Sequence, residues 1–258
     1  MVGMEEKIYN KINDVPGAKW KQLEKVTFFW GHQSVGSNIL GGLEELLAEH
    51  SQIPLKVFAV KEPYSLTPGA LNHSSVGNNC DPSSKIKDFV KMVESGIGNQ
   101  SDFAFFKFCY IDFNARSDVK AIFEEYKEAM QGLKERYPRT QFMHATIPLL
   151  KVQNGPKAWV KKILGRTLDG TKDNVKRCEF NDMLKKEYEA TDPIFDIGKY
   201  ESTRPDGSRE TFELDGKKYF ALVPAYTNDG GHLNKIGSRY LAAELLTLFA
   251  RIAPEDNK

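Results

Sequence analysis

Thr27-Phe28-Phe29-Trp30-Gly31-His32-Gln33-Ser34-Val35-Gly36-Ser37-Asn38-Ile39-Leu40 is the stretch that most constrains the fold of this 258-residue chain. An apolar run breaks at a small residue, presents one serine, and passes through a second glycine into apolar residues at helical spacing. Ile39, Leu40, Leu43, Leu46 and Leu47 form that apolar face, with Glu44, Glu45 and Glu49 on the other. The pattern reads as a strand, a tight turn and a helix start. A serine so placed sits at the carboxyl edge of a sheet beside the N-terminal amides of a helix, where backbone donors can meet developing negative charge. The same letters also fit a serine that merely caps an ordinary helix.

The rest of the chain repeats the alternation. Strand one is expected at about Lys25 to Trp30, and Leu55 to Val60 reads as a second strand. Pro63 to Asn79, rich in Pro, Gly, Asn and Ser, reads as a long loop, followed by a capped helix over Ser83 to Ser95. Phe103 to Ile111 is a continuous apolar run of the kind found in a central parallel strand buried on both faces. A helix is expected over Asp118 to Tyr137, a fourth strand over Gln141 to Ile147, a helix over Asn174 to Ala190, a short fifth strand over Ile194 to Ile197, and a closing helix over Gly237 to Ile252. Strands alternating with helices imply a parallel sheet wrapped on both faces, with sites at the carboxyl ends of its strands. We expect one domain spanning residues 1–258, interrupted by a lid-like insertion at 149–172 and by a hairpin excursion at 200–223. Two Asp-Gly turns, Asp206-Gly207 and Asp215-Gly216, mark that excursion.

Bulk properties narrow the function. A net charge of +1 with scattered lysines points to no nucleic-acid or anionic-membrane partner. No apolar run is long enough for a membrane span, and the charged opening from Met1 to Asn10 does not read as an uncleaved leader. An extracytoplasmic place is expected if a leader was trimmed, a cytoplasmic one otherwise. Three dispersed cysteines make neither a metal knuckle nor a disulfide framework; Cys109 reads as a small buried hydrophobe, and pairing of Cys80 with Cys178 stays open.

The second informative stretch is Tyr226-Thr227-Asn228-Asp229-Gly230-Gly231-His232-Leu233-Asn234-Lys235-Ile236-Gly237. A hydroxyl is a poor nucleophile at neutral pH until a base removes its proton, and an imidazole oriented by a carboxylate can do so. Asp229 and His232, three apart across two glycines, can supply both partners from one tight loop facing Ser34.

With serine in the first strand-to-helix turn and Asp-x-x-His before the last helix, the chain resembles the GDSL/SGNH hydrolases. Gly31-His32-Gln33-Ser34 matches the first block of that family in its Gly and Ser. Gln33 stands where the family usually has Asp, which marks a divergent branch. Asp229-Gly230-Gly231-His232-Leu233-Asn234 with Gly237 matches the last block. The resemblance spans roughly residues 24–250. It implies an α/β fold, a three-layer αβα sandwich on a five-stranded parallel sheet of flavodoxin-like type. It also implies Ser34 as nucleophile, His232 as base and Asp229 as the acid that orients it, with no metal or organic cofactor.

For the oxyanion site the resemblance points to the amide of Gly77 in the second block. The third block, where the family offers a side-chain Asn, reads Cys109-Tyr110-Ile111-Asp112-Phe113-Asn114. Asp112 takes the aligned place, an ionised carboxylate cannot donate, and Asn114, Asn78 or Asn79 is the expected substitute. His32 and His73 are further candidates for substrate contact, against packing roles within their loops. Tyr110 and Tyr226 are placed at the pocket edge or in packing, and His144 in the core. The implied activity is ester hydrolysis; the resemblance does not choose a substrate, and the broad polar loops, with no long amphipathic or strongly apolar lid, point to a short acyl group such as acetyl on a carbohydrate or other polar alcohol. An O-acyltransferase and a weakly active glycan-binding module remain the alternatives.

Overall fold

The computed structural model describes residues 2–153 and 170–255. In chain order it contains α1 (Val2–Asn13), α2 (Gly17–Gln22), β1 (Phe28–His32), α3 (Val35–Glu49), β2 (Lys56–Ala59), β3 (Ala70–Ser75), α4 (Pro82–Met92), β4 (Phe103–Phe106) and α5 (Val119–Arg136). Then follow β5 (Gln141–Phe142), β6 (His144–Ala145), α6 (Thr171–Tyr188), β7 (Ile194–Phe195), α7 (Ile197–Glu201), β8 (Thr211–Leu214), β9 (Lys217–Phe220) and α8 (Lys235–Ile252).

Five strands form a parallel sheet in the order β2-β3-β1-β4-β5, and β6 and β7 form a parallel pair beside it. The fourth strand changes partner midway. The Met143 amide still donates to the Ala104 carbonyl (3.1 Å), whereas those of His144 and Thr146 donate to Pro193 and Phe195 (3.0 and 3.1 Å). With β5 and β6 taken as one line, β3-β1-β4-β5/β6-β7 reproduces the flavodoxin-like order, and β2 is an added edge.

Alternation along the two central strands divides the core into two layers. Phe28 and Trp30 of β1 and Phe103 and Phe105 of β4 face α1, α3 and α8, where Ile39, Leu43, Leu245 and Phe249 are buried. Phe29, Ala104 and Phe106 face the other way, toward Phe89 of α4, Phe123 of α5 and Phe180 of α6. Phe28 stacks on Phe249 with centroids 4.0 Å apart. Both faces of the sheet are therefore apolar, as a parallel sheet under two helical layers requires.

Two expectations are corrected here. Residues 70–75, expected within a long loop, form the strand between β1 and the edge. Ala70-Leu71-Asn72-His73-Ser74-Ser75 carries too little apolar alternation to show a strand. Asn72 is nevertheless fully buried, because its side chain accepts from the Thr67 amide (2.8 Å) and donates to the Thr67 carbonyl (3.0 Å). The long apolar run also ends early, at Phe106, and Tyr110–Asp112 turns as a short 3-10 helix. At 200–223 the structure has the antiparallel pair β8 and β9, joined through Asp215-Gly216. The insertion expected at 149–172 lies, over 154–169, outside the described residues. The three cysteines are free, with Cys80 exposed and Cys109 and Cys178 buried. Among the described residues no helix is long and apolar enough to cross a membrane.

Candidate active site

Ser34 stands between the end of β1 and the first turn of α3 with φ 51° and ψ −106°. A non-glycine residue in the positive-φ region is held there only where its surroundings over-determine it. Two contacts do so locally. The Gln33 side-chain amide donates to the carbonyls of Val76 (2.8 Å) and Gly77, tying the serine turn to the loop after β3. The first turn of α3 then closes through Gly36 to Gln33 (3.0 Å) and Ser37 to Ser34 (2.8 Å). The Ser34 hydroxyl does not cap the helix; its Oγ lies 2.6 Å from Nε2 of His232.

His232 sits on a turn folded around one carboxylate. Oδ1 of Asp229 accepts from the amides of Gly231 and His232 (both 2.9 Å), and Oδ2 lies 2.7 Å from His232 Nδ1. The Gly231 amide first, and the His232 ring next, hold the Asp229 carboxyl well below the usual carboxylate range, so it stays charged and acceptor-only. Nδ1 must then carry a proton, which leaves Nε2 as the acceptor facing the serine hydroxyl. A side chain at Gly231 would collide with Tyr110, since a Cβ there would lie 2.7 Å from Cζ and 2.9 Å from Leu150 Cδ2. Asn38 of α3 accepts the Leu233 amide (3.2 Å), and Asn234 caps α8 through the Gly237 amide (3.1 Å). Two segments 198 residues apart are thus joined at the serine–histidine contact and again beside it.

The other expected residues are placed differently. The Gly77 amide does not face the serine as an open donor: it donates to Oδ2 of Asp88, on α4, at 2.8 Å. Asn78 is exposed, its amide bound to Ser84 Oγ (2.9 Å), and the Asn79 side-chain oxygen accepts from Lys85 (3.1 Å). Asp112 is buried, paired to Lys85 Nζ at 2.6 Å, and accepts from the amides of Cys80 (2.9 Å) and Cys109 (2.7 Å). Asn114 is exposed in a turn of its own, with its amide on Ser117 and its oxygen receiving the Arg116 amide. Motif alignment matches positions, and it is blind to which donors neighbouring side chains have already engaged.

His32 is buried beneath the turn, with Nε2 3.0 Å from Nδ1 of half-buried His73. Burial foremost, then His73 and Lys107, push the His32 imidazole down to about 3. His144 is core, as expected, stacked on Tyr188 at 3.6 Å.

Three side chains near the site gave little or no sequence signal of their role. The Tyr110 hydroxyl lies 3.4 Å from Nε2 and 3.5 Å from Nδ1 of His232, with the rings edge to face. Arg177, buried on α6, donates to the carbonyls of Tyr110 (2.8 Å) and Phe113 (2.9 Å) and so fixes the turn after β4. Lys107, wholly buried, donates to the Phe108 carbonyl (3.3 Å) and to Cys109 Sγ (3.4 Å), and burial pulls its pKa down. A cleft of about 510 Å³ opens beside Asp229, lined by Tyr110, Leu150, Lys151, Gln153 and the Asp229-Gly230-Gly231 turn. Among the described residues no group of three His, Cys, Asp or Glu side chains is gathered to hold a metal ion.

No protein-family model matches the chain, and no curated protein matches it. Among solved structures, a GDSL-like lipase from Bacteroides thetaiotaomicron VPI-5482 is similar with a TM-score of 0.50 at 12% identity, covering 88% of this chain and 89% of its own. The periplasmic domain of a Salmonella ser. Paratyphi A lipopolysaccharide acetyltransferase aligns with a TM-score of 0.46 at 15% identity, covering 84% of this chain and 80% of its own. With its strand order and its two helical layers, the chain shares the three-layer α/β fold of that GDSL-like lipase.

Proposed function

We propose that the chain is a serine esterase in which Ser34, His232 and Asp229 form a catalytic triad. One observation carries the reading: Ser34 Oγ is 2.6 Å from His232 Nε2 while Nδ1 of the same ring is 2.7 Å from Asp229. Ser34 Oγ attacks the ester carbonyl carbon as its proton passes to Nε2. The tetrahedral intermediate collapses, the bond to the alcohol oxygen breaks, and the proton on Nε2 goes to that oxygen. Water then attacks the acyl-enzyme, gives its proton to Nε2, and releases the acid as Ser34 regains the proton. Asp229 stays ionised throughout and stabilises the imidazolium. The Ser34 amide, with that of Val35 at the first position of α3, is the donor this reading assigns to the oxyanion.

A short acyl group on a polar alcohol suits the site best. His232 and Asp229 keep 44% and 57% of their side-chain surface accessible, which suits a hydrated substrate better than a long buried chain. The lining cleft presents Lys151, Gln153 and Tyr110. Transfer to a sugar hydroxyl would follow the same steps, with that hydroxyl in place of water.

A fluorophosphonate probe tests the proposal. Wild type is expected to label covalently, and Ser34→Ala is expected to lose the label with its circular dichroism unchanged. Unlabelled wild type would overturn the esterase reading and leave a binding module.

A further inference from the structure

Tyr110 has a proton with nowhere to go. The imidazole beside it is fully subscribed: Nδ1 gives its hydrogen to Asp229, and the lone pair on Nε2 receives the Ser34 hydroxyl. At 3.4 and 3.5 Å the phenol oxygen is beyond good hydrogen-bond distance of either nitrogen, and these are its hydrogen-bond contacts among the described residues. Burial, and next the negative charge of Asp229, raise the phenol pKa, so the group keeps its hydrogen through the neutral range. Its position is also fixed. Arg177 holds the Tyr110 carbonyl, the ring packs on Gly231, and Asp112 takes the amide of Cys109, the residue before Tyr110. The residue is half-buried and lines the open cleft.

A donor at that point is useful in one step above others. Nε2 is the atom that delivers a proton to the departing alcohol oxygen, so that oxygen must come within hydrogen-bond reach of it. The phenol, 3.4 Å from the same nitrogen, borders the place this oxygen occupies. Building on the proposed esterase, we infer that the Tyr110 hydroxyl donates a hydrogen bond to the oxygen of the departing alcohol and so fits the site to esters of poor leaving groups, such as sugars and other aliphatic alcohols. The phenol keeps its proton; the one transferred to the alcohol is the proton His232 took from Ser34. In deacylation the attacking water oxygen takes the same place and accepts the same hydrogen bond.

The dependence on leaving group tests this, because an oxygen that carries little developing charge needs little help. Tyr110→Phe keeps the ring and removes the donor. On kcat/KM, Tyr110→Phe is expected to lose less than about 3-fold with 4-nitrophenyl acetate and roughly 10- to 100-fold with an alkyl or sugar acetate, in line with one hydrogen bond to a charged group. Fluorophosphonate labelling expels fluoride, which needs no such donor, and should proceed at close to the wild-type rate. An equal loss on all esters, or no loss on any, would overturn the role of Tyr110 while the labelled serine upheld the esterase. If wild type neither labels nor hydrolyses any of these acetates, the esterase reading fails and this inference with it.

Discussion

Lys85 and Asp112 form an ion pair, 2.6 Å long and shielded from solvent on both sides. Asp112 also takes the amides of Cys80 and Cys109, so one carboxylate binds the loop after β3 to the loop after β4. Removing one partner of such a pair leaves an uncompensated charge in the interior. Lys85→Met is expected to lower the unfolding free energy by about 3 to 5 kcal/mol. The double variant Lys85→Met/Asp112→Leu should lose markedly less than the two single variants together. Urea denaturation of all four proteins measures this as a double-mutant cycle, and additive losses would show the pair to be uncoupled.

Asp229→Asn probes the direction of the hydrogen bond to His232. Asn can keep an oxygen toward the amides of Gly231 and His232, but it then turns an NH2 toward Nδ1. The ring must answer with a lone pair at Nδ1 and a hydrogen on Nε2, the tautomer that cannot accept from Ser34. Turnover of an acetyl ester at pH 7 should fall by roughly 10³- to 10⁴-fold with the fold intact. A loss under 10-fold would show that the carboxylate is not what orients the ring.

Acid sensitivity should come in part from His32. Its folded-state pKa, near 3, lies below the ordinary 6.5, so the unfolded chain binds the extra proton between these values. The stabilisation is complete above about pH 6.5 and is lost as pH falls toward 3. His73, also lowered by burial, acts in the same sense. Between pH 7 and 4.5 the His32 contribution is on the order of 2 kcal/mol. Urea midpoints across this range should fall less steeply for His32→Gln than for wild type; equal slopes would place the acid sensitivity elsewhere.

Much of the architecture and the triad candidates can be read from local patterns. Period-3.6 stripes locate α3, α5 and α8, doubly buried apolar runs locate β1 and β4, and Ser34 and Asp229-x-x-His232 each occupy a turn whose neighbours announce it. Such features depend on residues close together in the chain, so they survive in the letters. β3 does not: its polar sequence becomes a strand through the buried bonds of Asn72 and the partners on either side.

The donors around the serine are decided in the same non-local way. Gly77 is the right residue type for an oxyanion donor, yet Asp88 of α4 takes its amide; Asp112 is paired to Lys85, Asn79 receives Lys85 at its side-chain oxygen, and Asn78 and Asn114 are exposed. Tyr110 stands beside His232 because Arg177, 67 positions later, holds its carbonyl and because Gly231 leaves room for its ring. Residue chemistry is therefore written in the sequence, whereas whether a donor is free or already engaged follows from contacts that only the folded chain makes.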